Sequence, residues 1–153
     1  MDAPLRRDAL SQLEAIGHTD ILVGIPSLNN QDTIGHVVGQ AAEGLRTHFN
    51  AHACALMVAD GGSTDDTRET ALQVPVKGID RVVTIYRGIP GKGSAVRAIL
   101  QAMRLLGVGT GILVDADLRS ISPEWIRLLA APIHHGRGNV KCFSHHSGKV
   151  ISQ

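Results

Sequence analysis

"GILVDADLRS", residues 111–120, runs through an apolar stretch and stops on Asp115-Ala116-Asp117. Carboxylates at the end of a buried strand are costly unless something pairs with them. The same pattern recurs upstream. "DILVGIPS" (20–27) reads as a buried strand broken at Pro26, and "CALMVADGGS" (54–63) as a second that ends in Asp60 and two glycines. "RVVTIYR" (81–87) is a third and "TGILVDAD" (110–117) the fourth. Helical spacing separates them. Ile34, Val37, Val38, Ala41, Leu45 and Phe49 form one stripe. Ser63 or Thr64 can cap the next helix, with Asp65 and Asp66 at its positive end. "GKGSAVRAILQAMRLLG" (91–107) opens on glycines and becomes helical, and Ser122-Pro123-Glu124-Trp125 places an N-cap before a proline in the first turn. Strand and helix thus alternate four times. That order predicts an α/β three-layer sandwich with a mostly parallel sheet. Its polar residues gather after the strands, where open α/β sheets bind ligands.

The chain has 153 residues, enough for one sizeable core. Aromatics make up only 3%, so the core must be aliphatic. A net charge of +1 without long charged runs leaves no electrostatic footprint for nucleic acid or an anionic membrane. No apolar run approaches the ~18 residues of a transmembrane segment. The opening "MDAPLRRDALSQLEAIG" lacks the apolar centre of a signal peptide, so a cytoplasmic location is expected. Within it Asp2 can cap a helix with Pro4 in its first turn. Leu5, Ala9, Leu10, Leu13 and Ile16 share one face, and Gly17 ends it. Residues 1–19 are therefore expected to be an accessory helix. Cys54 and Cys142 have no metal-ligand spacing; Cys54 is expected to be a small buried residue.

Four motifs carry chemistry. If the chain stays extended through Asp115-Ala116-Asp117, both carboxylates face one cleft, and Mg²⁺ or Mn²⁺ would relieve their repulsion. Taken alone, such a pair is better read as surface aspartates. In "ADGGSTDDT" (59–67), Asp60 can accept from a base N–H or ribose hydroxyl, and Gly61-Gly62 permits a tight turn or close backbone approach. A well-capped strand-to-helix turn is the other reading. In "GIPGKGSA" (88–95), backbone N–H groups and Lys92 can hold phosphate oxygens, although a flexible turn with a solvated lysine fits equally well. It is not a Walker A loop, since Gly93 follows Lys92. In "GIPSLNN" (24–30), Pro26 and Ser27 close a strand, and Asn29-Asn30 turns the chain or donates to a ligand; for Asn30 the turn is preferred. The adjacent pairs His134-His135 and His145-His146 lack the i, i+4 spacing of a helical metal motif. No Ser-His-Asp or Cys-His arrangement is recognisable, so no catalytic residue is assigned.

The order of the four motifs resembles the nucleotide-sugar-binding half of GT-A glycosyltransferases. It is most similar to the family 2 type and the related glucosyl- or mannosyl-3-phosphoglycerate synthases. "VGIPSLNNQDTIGHVV", "ADGGSTDDT", "PGKGSAVRA" and "VDADLRSISPEW" carry the resemblance, which covers roughly residues 20–132. It implies a nucleotide pocket lined by Pro26 and Ser27, with Asp60 and Gly61 toward the base or ribose and Lys92 near the nucleotide. Asp115 would contact ribose or metal, and Asp117 would hold Mg²⁺ or Mn²⁺ on the diphosphate of a UDP- or GDP-sugar. The activity implied is hexosyl transfer to a hydroxyl acceptor. Such enzymes continue well past this point, so a truncated GT-A unit is expected. The tail, residues 133–153, can hold one short strand, "NVKCFS", and is not expected to complete the α/β domain. An open edge on the 110–117 strand and self-association would follow. Two alternatives stand beside this reading. One is a non-catalytic nucleotide-binding or interaction module. The other is a nucleotidyltransferase, against which counts a glycine-lysine loop placed after the third strand instead of the first.

Overall fold

The computed structural model describes residues 4–130 in full, and the backbone of 139–143 and 150–152. Five helices and six strands follow one another as α1 (Arg7–Ile16), β1 (Ile21–Ser27), α2 (Ile34–His48), β2 (Cys54–Asp60), α3 (Thr67–Gln73), β3 (Asp80–Ile85), α4 (Lys92–Leu105), β4 (Thr110–Val114), α5 (Pro123–Ala130), β5 (Asn139–Phe143) and β6 (Val150–Ser152). The sheet order is β3-β2-β1-β4-β5-β6. Every pairing is parallel except β5 with β6. The α/β sandwich with a mostly parallel sheet is therefore what the chain forms.

Period-two alternation sorts the side chains into two cores. Ile21, Val23 and Ile25 of β1 join Cys54, Leu56 and Val58 of β2 beneath α2 and α5. Leu22 joins Ala55, Met57 and Ala59 beneath α1 and α4. The expected stripe on α2 is the buried one, from Ile34 to Leu45. Gly24 interrupts the apolar run of β1 for a packing reason: a Cβ there would stand 2.4 Å from Ile99 Cγ2 on α4. Helix α1 buries Leu5, Ala9 and Leu13 in the α4-side core, and Gly17, at φ 78°, ends it by donating its N–H to the Leu13 carbonyl. Asp8 in its first turn accepts a hydrogen bond from Thr84 Oγ1 at 3.1 Å, tying α1 to β3. The cap expected at Asp2 lies outside the described residues.

Three local expectations change. The fourth strand stops at Val114, and a Leu118 N–H to Asp115 carbonyl bond of 3.2 Å turns the chain. Helix α3 starts at Thr67, not after Ser63 or Thr64. Ser63 is drawn into bonds with Asp60, and the Asp65 carboxylate accepts the Thr67 N–H instead. Finally, the outer edge of β4 is not open: β5 pairs with it in parallel from Thr110↔Asn139 to Val114↔Phe143. Asn139–Phe143, within the "NVKCFS" segment, thus extends the parallel sheet, and the short antiparallel β6 pairs with it. Apolar spacing in a five-residue strand beside glycines and histidines was too weak a signal to show this. His134, His135, His145 and His146 lie outside the described residues. Among the described residues, no helix is long and apolar enough to cross a membrane.

Candidate functional site

Chain direction across the sheet reverses between β1 and β4, which pair in parallel. Such a switch point opens a crevice beyond the carboxyl ends of the strands, where doubly wound sheets take ligands. A cavity of about 330 Å³ lies there, of a size usual for small-molecule sites. Pro26 and Ser27 from the end of β1, Lys92 from the start of α4, and Asp115 and Asp117 from the loop after β4 line it together. Asn30 also reaches it.

The Asp115–Asp117 loop is fixed from below. Ala116, Leu118 and Ile121 are buried in the α2–α5 core. Thr33 Oγ1 donates to the Ala116 carbonyl at 2.8 Å, and His36 Nε2 lies 3.0 Å from the Arg119 carbonyl, where that nitrogen must carry the proton. Burial of Ala116 turns its two neighbours toward the cavity, so the aspartates share a side although the strand has already ended. Lys92 Nζ donates to Asp115 Oδ1 at 2.5 Å across the cavity. This ammonium stands opposite the first carboxylate.

Two carboxylates that face one cavity suit a hard divalent cation that takes its remaining ligands from water and phosphate. Among the described residues no group of three His, Cys, Asp or Glu side chains could enclose a metal. The donor set therefore fits an ion shared with a bound anion, not a closed protein cage.

Asp60 stands at the same end of the sheet, one strand over. Its side chain is fully buried and does not line the cavity. Oδ1 accepts from Ser27 Oγ at 2.8 Å and Ser63 Oγ at 2.6 Å; Oδ2 accepts from the N–H groups of Gly62 and Ser63 and from Arg68 at 2.8 Å. Burial by itself would raise the Asp60 pKa, but the bonds from Ser63, Ser27 and Arg68 outweigh it and hold the carboxyl below its ordinary value. Ser27, its register partner, spends its hydroxyl proton on this carboxylate. Gly61 stands behind two residues of the cavity wall: a Cβ there would meet Tyr86 Oη at 2.8 Å and Leu28 Cδ1 at 3.5 Å.

Asn29 and Asn30 chiefly bind the two loops at this end to each other. Asn29, at φ 52°, accepts from Thr64 N–H through its side chain and donates its own N–H to Ser63 Oγ. Asn30 N–H donates to Thr67 Oγ1. Leu28 and Tyr86 also line the cavity, and no sequence motif singles them out. Leu28 is half exposed on the rim and Tyr86 is buried in the wall. A lone tyrosine after a strand looks like core, and only its hydroxyl partners mark it. Cys54 is buried at the far end of β2, and burial pushes its thiol up to about 11.

No protein-family model matches the chain. Two curated proteins, both glucosyl-3-phosphoglycerate synthases, are similar to it. The one from Mycolicibacterium paratuberculosis is 32% identical over 133 residues, covering 84% of this chain and 38% of the relative. The one from Mycolicibacterium smegmatis is 30% identical over 118 residues, covering 74% and 36%. Solved structures of the Mycobacterium tuberculosis enzyme agree. Its complex with Mn²⁺, UDP and phosphoglyceric acid superposes with a TM-score of 0.57 at 29% identity, over 90% of this chain and 48% of that one. Its complex with Mn²⁺, UDP and glucosyl-3-phosphoglycerate gives 0.55 at 28% identity, over 83% and 44%. The chain spans about two-fifths of the length of these curated relatives. Over most of its own length it is homologous to the glucosyl-3-phosphoglycerate synthases and takes their family 2-like GT-A glycosyltransferase fold.

Proposed function

We propose that the cavity between β1 and β4 binds a nucleotide-diphospho-sugar together with Mn²⁺ or Mg²⁺. The chain is then the donor-binding part of an enzyme that transfers a hexosyl group to a hydroxyl acceptor. The observation that carries this reading is the convergence of Pro26, Ser27, Lys92, Asp115 and Asp117 on one cavity at the switch point. That the related structures hold Mn²⁺ and UDP at comparable overall fold supports it. Residues 20–132 are the nucleotide-sugar-binding unit in this proposal, residues 1–19 an accessory helix and 133–153 a tail of which 139–143 and 150–152 add β5 and β6 to the sheet.

Each residue has a task that follows from its chemistry. Pro26 and Leu28 offer apolar surface to a base, and Ser27 keeps lone pairs while its proton goes to Asp60. Asp117 and Asp115 would hold the metal, whose contribution is Lewis-acid neutralisation of the departing diphosphate. Lys92 can leave Asp115 for a phosphate oxygen when a cation takes over that carboxylate. Its ammonium then adds a charge-assisted hydrogen bond to the anion. Asp60 serves the base and ribose through what it fixes, namely Ser27, Gly62 and Ser63.

The test is calorimetry of the full chain with UDP-, GDP- and ADP-sugars, with and without Mn²⁺. A sugar-transfer assay follows, with phosphoglyceric acid as the first acceptor because a related complex contains it. Metal-dependent binding of one donor supports the reading, and no binding of any donor overturns it. Donor binding without transfer favours the second reading, a nucleotide-binding module. A cytoplasmic location and self-association belong to the same proposal, although β5 covers the β4 edge from which the sequence predicts self-association. Cell fractionation and light scattering check them.

A further inference from the structure

We infer that Tyr86 is a positioning residue: its phenol locks the turn that presents Lys92. The purpose assigned to the lock rests on the nucleotide reading above, whereas the lock itself does not. Tyr86 is the chain's single tyrosine and follows the last residue of β3. Its own N–H donates to the Asp60 carbonyl at 3.1 Å, which prolongs the β2–β3 ladder by one rung. Its hydroxyl then uses both of its capacities on one residue, donating to the Gly91 carbonyl at 3.0 Å and accepting the Gly91 N–H at 2.8 Å.

Gly91 is the N-cap of α4 and directly precedes Lys92. A glycine has no side chain to cap with, and its carbonyl accepts only a long first helical bond, from Ala95 N–H at 3.2 Å. The phenol supplies what the cap lacks. Between Tyr86 and Gly91 the chain runs through Arg87, Gly88, Ile89 and Pro90, all exposed, with Gly88 at φ 108° and Ile89 84% exposed. A turn of this kind has little packing to define it. On its other side the hydroxyl abuts Gly61, where a Cβ would come within 2.8 Å. Tyr86 thus spans the cavity wall from the end of β2 to the start of α4. Removing one oxygen leaves the Gly91 N–H without the phenol and its carbonyl with only the Ala95 N–H, and so loosens the residue from which Lys92 springs.

The experiment uses the full chain as wild type, Tyr86→Phe, Lys92→Ala and the double variant. Phenylalanine keeps the ring and its packing. In the ligand-free protein, Tyr86→Phe should keep its denaturation midpoint close to wild type yet be cleaved by trypsin after Arg87 and Lys92 several-fold faster, since opening of the turn governs access. With Mn²⁺, UDP affinity should fall by about tenfold, as for two lost neutral hydrogen bonds. Adding Tyr86→Phe to Lys92→Ala should cost nothing further, because the phenol acts through the lysine. Unchanged cleavage overturns the lock. A full additional loss in the double variant overturns the positioning role and makes Tyr86 a direct contact. If wild type does not bind UDP, the nucleotide reading and the purpose of the lock fail together, while cleavage still decides the lock. Should Tyr86→Phe not fold, fluorotyrosine in the wild-type chain gives a single fluorine resonance. Lys92→Ala must shift it if the two side chains communicate, and an unmoved resonance overturns the proposal.

Discussion

Asp60 and Asp115 close neighbouring parts of one sheet edge, yet they are built for opposite ends. Asp60 is wholly buried and accepts from Ser27, Gly62, Ser63 and Arg68. Asp115 is 15% exposed at its side chain, lines the cavity beside Asp117, and faces a lysine that is 60% exposed. Arg68, the cation on Asp60, is held at 28% exposure and also donates to the Ser63 carbonyl. One carboxylate is enclosed in the structure around the site, and the other lines the cavity, where the proposed function puts the nucleotide. An acidic residue at a strand end therefore says little until its donors are known.

The largest effect expected is on Asp60. Asp60→Ala would strand Arg68 and leave Ser27 and Ser63 without their acceptor. Breaking a buried charge pair in this way costs about 3–5 kcal/mol, to be read from urea denaturation. A loss below about 1 kcal/mol would erase the contrast, since surface aspartates behave that way. Acid adds a second measurement. Hydrogen bonds keep the folded pKa of Asp60 below its unfolded value, about 3.9. A depressed carboxyl contributes its full stability above that unfolded value and loses it as pH falls through the folded pKa. Asp60→Asn should flatten this limb below about pH 4, and an unchanged limb would show that other carboxylates carry it.

Lys92 comes next. Lys92→Ala should weaken binding of UDP by roughly tenfold or more, as for one charge-assisted hydrogen bond, and leave uridine nearly untouched. It should also raise the affinity of the ligand-free chain for Mn²⁺, because the ion pair to Asp115 no longer competes. Equal losses for UDP and uridine would make the lysine a base or packing contact. Asp117→Asn should change stability by less than about 0.5 kcal/mol, as exposed substitutions do. Its effect belongs to calorimetry, where the Mn²⁺-dependent part of UDP binding should fall by about tenfold. Equal UDP affinities with and without Mn²⁺, in wild type and variant alike, would remove the metal from the proposal.

Much of this was legible in the sequence, for reasons that differ by element. The strands of 21–27, 54–60 and 110–114 are continuous apolar runs, as buried parallel strands must be. Pro26, Ser27, Lys92, Asp115 and Asp117 could be placed on one edge because each follows a strand or opens a helix. The saturation of Asp60 could not be read, since its partners Ser27 and Arg68 come from β1 and α3, up to 33 residues away. Nor could the pairing of β5, whose five residues carry no strict alternation. Tyr86 was invisible for a third reason: a hydroxyl's use depends on backbone atoms that a sequence does not display.

The smallest effect expected sits where the two regions meet. Gly61 joins the Asp60 turn to the cavity wall, and its N–H donates to the Ser27 carbonyl at 2.9 Å. Its backbone does not require glycine by conformation, so only space forbids a side chain. Gly61→Ala puts a methyl group 2.8 Å from Tyr86 Oη and 3.5 Å from Leu28 Cδ1. Leu28 is half exposed and can yield, but the phenol is buried and tied to Gly91. Overpacking by one methyl costs about 1 kcal/mol when a neighbour must move. The displaced group is a hydroxyl that the closed turn needs, so UDP affinity should fall several-fold while the denaturation midpoint moves little. The Asp60 turn should be unaffected, and the acid limb of Gly61→Ala should match wild type. If the acid limb shifts and UDP affinity does not, Gly61 belongs to the Asp60 side of the comparison and the wall of the cavity begins at Tyr86.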